Sequence, residues 1–170
     1  MIVLGIDPGL ASTGYGVVQR DGGRLRALDG GVIETRPQLS LERRLTLLHA
    51  RLTELLGAHA CEAVALESLY FGSNAHSAFA VGQARGVCML VAGQHDLACA
   101  SYTPQQIKAA VCGSGRAGKE QVARMVSALL GLASVPGSDH ATDALAVAVC
   151  HINAAPLAGA IAAATAGAGR

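Results

Sequence analysis

The sequence predicts an α/β fold: a five-stranded mixed sheet, part antiparallel meander and part parallel strands, with helices on both faces. Three strand-like runs crowd the first 35 residues with no helical periodicity between them, which is how a meander reads. Beyond residue 35, short apolar runs alternate with helical stretches, which implies parallel crossovers within one sheet. Composition agrees. Of 170 residues, 51% are apolar and only 15% charged, so the chain is a compact globule long enough for one hydrophobic core.

"MIVLGID" (1–7) is an apolar run of strand length that ends on Asp7. "PGLASTG" (8–14) reads as a turn by its Pro and Gly content. "YGVVQRD" (15–21) alternates as a second strand, Gly22-Gly23 makes a tight reversal, and a third strand crosses Leu25 to Thr35. Leu41, Leu45, Leu48, Leu52 and Leu55 then mark one face of an amphipathic helix, with Ser40 as its N-cap. "CEAVALES" (61–68) is a short buried strand ending near Glu67. Residues 75–93 form an Ala- and Gly-rich helix, broken at Gln94-His95, and "LACASYT" (97–103) is the fifth strand. A helix from Pro104, a glycine loop, a helix from Lys119 to Leu132 and a last helix from Asp139 to about Asn153, N-capped by Ser138, complete the order. The expected domain is 1–153; the Ala/Gly-rich, almost chargeless 154–170 is expected to be a disordered tail.

A net charge of +1 points to no partner, so a nucleic-acid ligand would need positive charge gathered locally. No run reaches the ~18 apolar residues of a membrane span. The N-terminus is a strand without the pattern of a secretory signal, so a cytoplasmic location is expected. The five cysteines are odd in number and none has C-x-x-C spacing, which suggests reduced thiols in place of a zinc site.

The acids carry the chemistry. Asp7 and Glu67 each end a strand, and neighbouring parallel strands bring such ends to one sheet edge, where α/β ligand sites form. Two close carboxylates repel unless a cation lies between them, and hard oxygen donors suit a divalent ion. "SDHATDALAVAV" (138–149) supplies the other side: His140 and Asp143 are i, i+3, and Asp139 and Asp143 are i, i+4. Spacing leaves His140 and Asp139 as alternatives for Asp143's companion; Asp139 also suits the dipole of a helix start. Asp143 sits among apolar residues, where an unpaired acid is costly.

"GSGRAGKE" (113–120) matches a phosphate loop for seven positions and fails at the eighth, where Glu120 replaces the magnesium-binding hydroxyl. A helix precedes it where a strand is required. The better reading is a mobile basic loop with Arg116 and Lys119 facing a phosphate backbone. Arg85, Lys108 and Arg124 add basic groups. Tyr70 and Phe71 follow Glu67 closely, and an exposed ring beside a metal site can stack on a base.

"GIDPGLASTGYGV", "ALESLYFGSNAHSAFAVGQARGV", "YTPQQIKAAVCGSGRAGKEQV" and "DHATDALAVAVCH" together resemble the bacterial RuvC-type crossover junction endodeoxyribonucleases, the Holliday junction resolvases. The resemblance runs from residue 2 to about residue 152. It implies an RNase H-like fold, a homodimer and metal-dependent cutting of four-way DNA junctions. Asp7, Glu67 and Asp143 then look like the catalytic acids, and His140 fills the fourth site position, which favours it over Asp139. Two Mg2+ ions per active site are implied, with Mn2+ as a substitute. Tyr70 corresponds to the aromatic that inserts into the junction. Lys108 and Lys119 match basic positions that contact DNA or support catalysis, and Arg85 and Arg116 join them as candidate DNA contacts. The helix at 75–93 resembles the dimerisation helix, and the branch-migration proteins RuvA and RuvB are implied partners.

Overall fold

The computed structural model describes residues 1–68, 75–133 and 139–167, with side chains described outside 75–77 and 155–167. The element order is β1 (Ile2–Asp7), β2 (Ser12–Asp21), β3 (Arg24–Glu34), α1 (Leu41–His59), β4 (Ala63–Glu67), α2 (Ala75–Gln94), β5 (Ala98–Tyr102), α3 (Pro104–Cys112), α4 (Lys119–Leu130) and α5 (Asp139–Gly167). The strands form one sheet in the order β3-β2-β1-β4-β5. β1, β2 and β3 pair antiparallel, and β4 joins β1 in parallel with β5 parallel beyond it. This is the mixed sheet that the sequence predicts.

Period-two alternation sorts the strand residues onto two faces. Leu4, Ile6, Tyr15, Val17, Val64 and Leu66 pack with Leu48, Leu52 and Leu56 of α1 and with Ala84, Cys88 and Val91 of α2. Val3, Val18, Ala63 and Ala65 point the other way, into a second core with α3, α4 and α5. Helices therefore cover both faces, and both β1 and β4 are apolar on each side, as buried central strands are. Among the described residues, no helix is long and apolar enough to cross a membrane. Cys61, Cys88 and Cys150 are buried, Cys112 is half-buried and Cys99 is exposed, all as free thiols.

Two element boundaries differ most from the sequence reading, while α4 stops at Leu130, short of the expected Leu132, at the left-handed Gly131. β2 begins at Ser12, so "STG" belongs to the strand and not to the turn. The Gly14 that suggested a turn lies opposite Asp7, where its lack of a side chain admits the backbone of α5. The last helix was expected to end near Asn153 but continues to Gly167. The run beyond is rich in alanine, the strongest helix former. The expected N-cap Ser138 lies outside the described residues.

Candidate active site

Sheet register sets the first two acids side by side. β1 and β4 pair from Val3–Ala63 to Ile6–Leu66, and Asp7 and Glu67 come next on each strand. Counting by twos from Val3 and Ala63 puts both on the face covered by α5. Adjacent strands lie about 4.8 Å apart, so the two carboxylates are close neighbours.

Glycines bring the third acid over the same edge. A Cβ at Gly5 would collide with the backbone of Ala144, and one at Gly14 with the carbonyl of His140. The bare backbone at both places lets the first turns of α5 lie directly on β1 and β2. His140 is thereby set beside Asp7, with Nδ1 2.7 Å from Oδ2. Asp143, one turn on, faces a cleft of about 250 Å³ that Glu67, Pro104, Lys108 and Lys119 also line.

The basic groups come from α3 and α4. The Thr103 hydroxyl caps α3 by accepting from the Gln106 N–H, Gln106 returns a bond to the Thr103 N–H, and Pro104 opens the helix. That rigid start presents Lys108 to the cleft. Lys119 is the first residue of α4, and its ammonium lies 2.9 Å from Asp139 and 3.9 Å from Asp143. The bond to Asp139 raises the lysine's pKa and lowers that of the aspartate.

Burial, reinforced by the Asp7 and Asp143 carboxylates, pushes the Glu67 carboxyl from 4.5 up to about 7, against the pull of Lys108 and Lys119. Burial also raises the Asp143 carboxyl; Lys119 opposes the rise, while Asp7 and Asp139 add to it. A cluster that resists ionisation in this way is short of positive charge. Among the described residues, no three His, Cys, Asp or Glu side chains converge tightly enough to hold an ion as they stand. Asp7 is engaged by His140, and like-charged groups stay apart without a cation between them. By chemistry the donor set of three carboxylates and one imidazole fits a hard divalent ion.

A carboxyl with a raised folded pKa stabilises the fold below its unfolded pKa, and that stability fades as pH rises through the folded value. The metal-free protein should therefore lose about 1–2 kcal/mol between pH 5 and pH 8 from Glu67, after allowance for solvent screening in an open cleft. Thermal melts across that range should show the fall, Glu67→Gln should flatten it, and a millimolar divalent cation should reverse it at pH 8.

Other predicted residues distribute unevenly. Arg116 is exposed in the 113–118 connection, which is pinned to the core by buried Ala117 and begins at Gly113 with φ +73. Arg85 is not brought to the cleft. It lies on α2, on the opposite face of the sheet, and donates to Ser101 Oγ of β5 at 2.7 Å. Tyr70 falls outside the described residues. Sequence reasoning missed the pairing of Lys119 with Asp139, since nothing local signals a bond between the starts of two different helices. It also missed His151, buried on α5 with Nδ1 2.9 Å from the Tyr102 hydroxyl, which ties the helix to β5 behind the cleft.

The family model of the crossover junction endodeoxyribonuclease RuvC matches residues 3–151. The chain belongs to the RuvC family. A relative from Moorella thermoacetica, named crossover junction endodeoxyribonuclease RuvC, is 50% identical over 156 residues, which is 92% of this chain and 93% of the relative. One of the same name from Pelotomaculum thermopropionicum is 46% identical over 151 residues, covering 89% and 92%. The solved Thermus thermophilus RuvC in complex with Holliday junction substrate aligns with TM-score 0.89 at 40% identity, over 93% of this chain and 96% of that one. As a RuvC-family nuclease the chain is a hydrolase acting on DNA, with the general dependence on divalent metal that membership implies. The RuvC match spans every element from β1 to the His151 turn of α5, and so contains all the acids of the cleft.

Proposed function

We propose that this chain resolves four-way DNA junctions by paired symmetric nicks during recombination and repair, through hydrolysis that leaves 5′-phosphate and 3′-hydroxyl ends. The observation that carries this reading is the gathering of Asp7, Glu67 and Asp143 at one sheet edge, with His140 on Asp7 and two lysines on the cleft wall. Asp7, Glu67, His140 and Asp143 would hold two Mg2+ ions, with Mn2+ as a substitute. When bound, such ions lower the pKa of an attacking water and stabilise the leaving 3′ oxygen. The protein's own share is positional. Asp7, central to the cluster, is oriented by the His140 ring; Glu67 and Asp143 complete the acidic floor; Lys108 and Lys119 draw the scissile phosphate into the cleft.

Recognition rests on phosphates and branch shape, with Tyr70 probing an unstacked base and Arg85 and Arg116 as outer contacts. A second copy of the chain would pack on α2, where Phe79 is 70% exposed, Leu90 55% and Met89 46%, apolar side chains that a partner helix would cover. Two sites related by a two-fold axis would then face the two-fold junction, with RuvA and RuvB as partners in branch migration. Incubating purified protein with a synthetic four-way junction and Mg2+ should yield two nicked duplexes that ligase reseals. Unresealable ends or single, unpaired nicks would refute symmetric resolution.

His140 makes the metal preference testable. Imidazole favours manganese over magnesium relative to carboxylate. Mn2+ should support nicking at least as well as Mg2+, and His140→Asp should shift the Mn2+-to-Mg2+ rate ratio towards Mg2+ by roughly threefold or more. An unchanged ratio would rule out a ligand role for His140.

A further inference from the structure

Lys119 stands where a cation does its own helix no good. It is the first residue of α4, whose N-cap is Gly118 with no side-chain bond, and a positive charge at a helix N-terminus opposes the dipole. The ammonium instead reaches across to α5, closer to Asp139 than to Asp143, at 2.9 Å against 3.9 Å. Asp139 is 76% exposed and its carboxylate lies at the rim; Asp143 is 32% exposed and lines the cleft. One lysine is thus shared between an outer and an inner acid, and the outer acid has the shorter bond.

Resting on the site reading above, we propose that Asp139 is a positioning residue. It holds the Lys119 ammonium at the rim, off Asp143. The inner carboxylate is then left open to a divalent ion, and the lysine stays within reach of the phosphate. Without Asp139 the ammonium has only Asp143 to neutralise, and it competes with the ion for the same oxygens. An exposed ion pair biases such a partition by about two- to fivefold, which sets the size of the effect.

The test needs no DNA. The Mg2+ concentration giving half-maximal thermal stabilisation is measured for the full chain and its variants. Asp139→Asn should raise it about threefold, and Asp139→Glu should restore it. Lys119→Met should lower it, and adding Asp139→Asn to Lys119→Met should change nothing further. If Asp139→Asn acts equally with and without Lys119, the effect is simple loss of negative charge near the ion and the proposal fails. It fails also if Asp139→Asn leaves the Mg2+ response unchanged. A different result would strike the site reading itself: Mg2+ stabilising Asp143→Asn as well as the unaltered chain, or stabilising neither.

Discussion

Asp143→Asn should abolish nicking of a four-way junction while the protein still folds and still binds the junction. The substitution keeps size and shape but removes the negative charge. Asp143 shares its cleft with Glu67, Lys108 and Lys119, and burial already raises its pKa. The metal-free fold therefore loses nothing by the change, and its melting temperature should hold or rise. Catalysis loses a charged oxygen at the point where developing negative charge must be offset by an ion. A fall of roughly three orders of magnitude in the nicking rate, about 4 kcal/mol of barrier, is the expected scale. Junction affinity should stay within about twofold, since phosphate contacts depend on the basic groups and not on this acid. Loss of binding in a folded Asp143→Asn protein would recast the residue as a DNA contact. Retained nicking would remove it from the active site.

The meeting of Asp7, Glu67 and Asp143 at one sheet edge was legible because each carries its own local signal. Two acids end apolar strands, and one interrupts an apolar helix. The meander was legible from Gly22-Gly23, where Gly22 takes φ +57, and α1 from its leucine spacing. Spacing alone left His140 and Asp139 open, because both share a face with Asp143; the family resemblance favoured His140, and the phase of α5 on the sheet sets His140 beside Asp7. That phase is fixed by Gly14, over which the His140 backbone sits. In the sequence Gly14 looks like a turn residue, since a missing side chain does not announce what occupies its space. The Lys119–Asp139 bond joins the starts of α4 and α5, and no periodicity encodes such a meeting. The length of α5 was underread for a different reason: an Ala/Gly run satisfies both a tail and a helix, and composition does not separate them.

Gly5→Ala and Gly14→Ala should be among the most damaging single changes outside the acids, although each adds one methyl group. At Gly5 the new Cβ would strike the Ala144 carbonyl and the Ala148 backbone nitrogen; at Gly14 it would strike the His140 carbonyl. Backbone atoms of a buried helix cannot swing aside as a side-chain tip can, so α5 must lift from the sheet. Overpacking costs about 1–3 kcal/mol where side chains can adjust, and the rigid case belongs at or above the top of that range. About 3 kcal/mol in a domain of this size is a fall of roughly 6–12 °C in melting temperature. Gly14→Ala should also slow nicking beyond its effect on stability, because it displaces the residue that holds Asp7. Gly57→Ala is the control. Gly57 lies within α1 with nothing near its missing Cβ, so there alanine should stabilise by about 0.5–1 kcal/mol through helix propensity alone. Opposite signs at Gly57 and at Gly5 and Gly14 would separate glycine as a weak helix former from glycine as the space α5 needs. If Gly5→Ala and Gly14→Ala are as benign as Gly57→Ala, the close seat of α5 on β1 and β2 is wrong, and the placement of His140 and Asp143 over Asp7 and Glu67 goes with it.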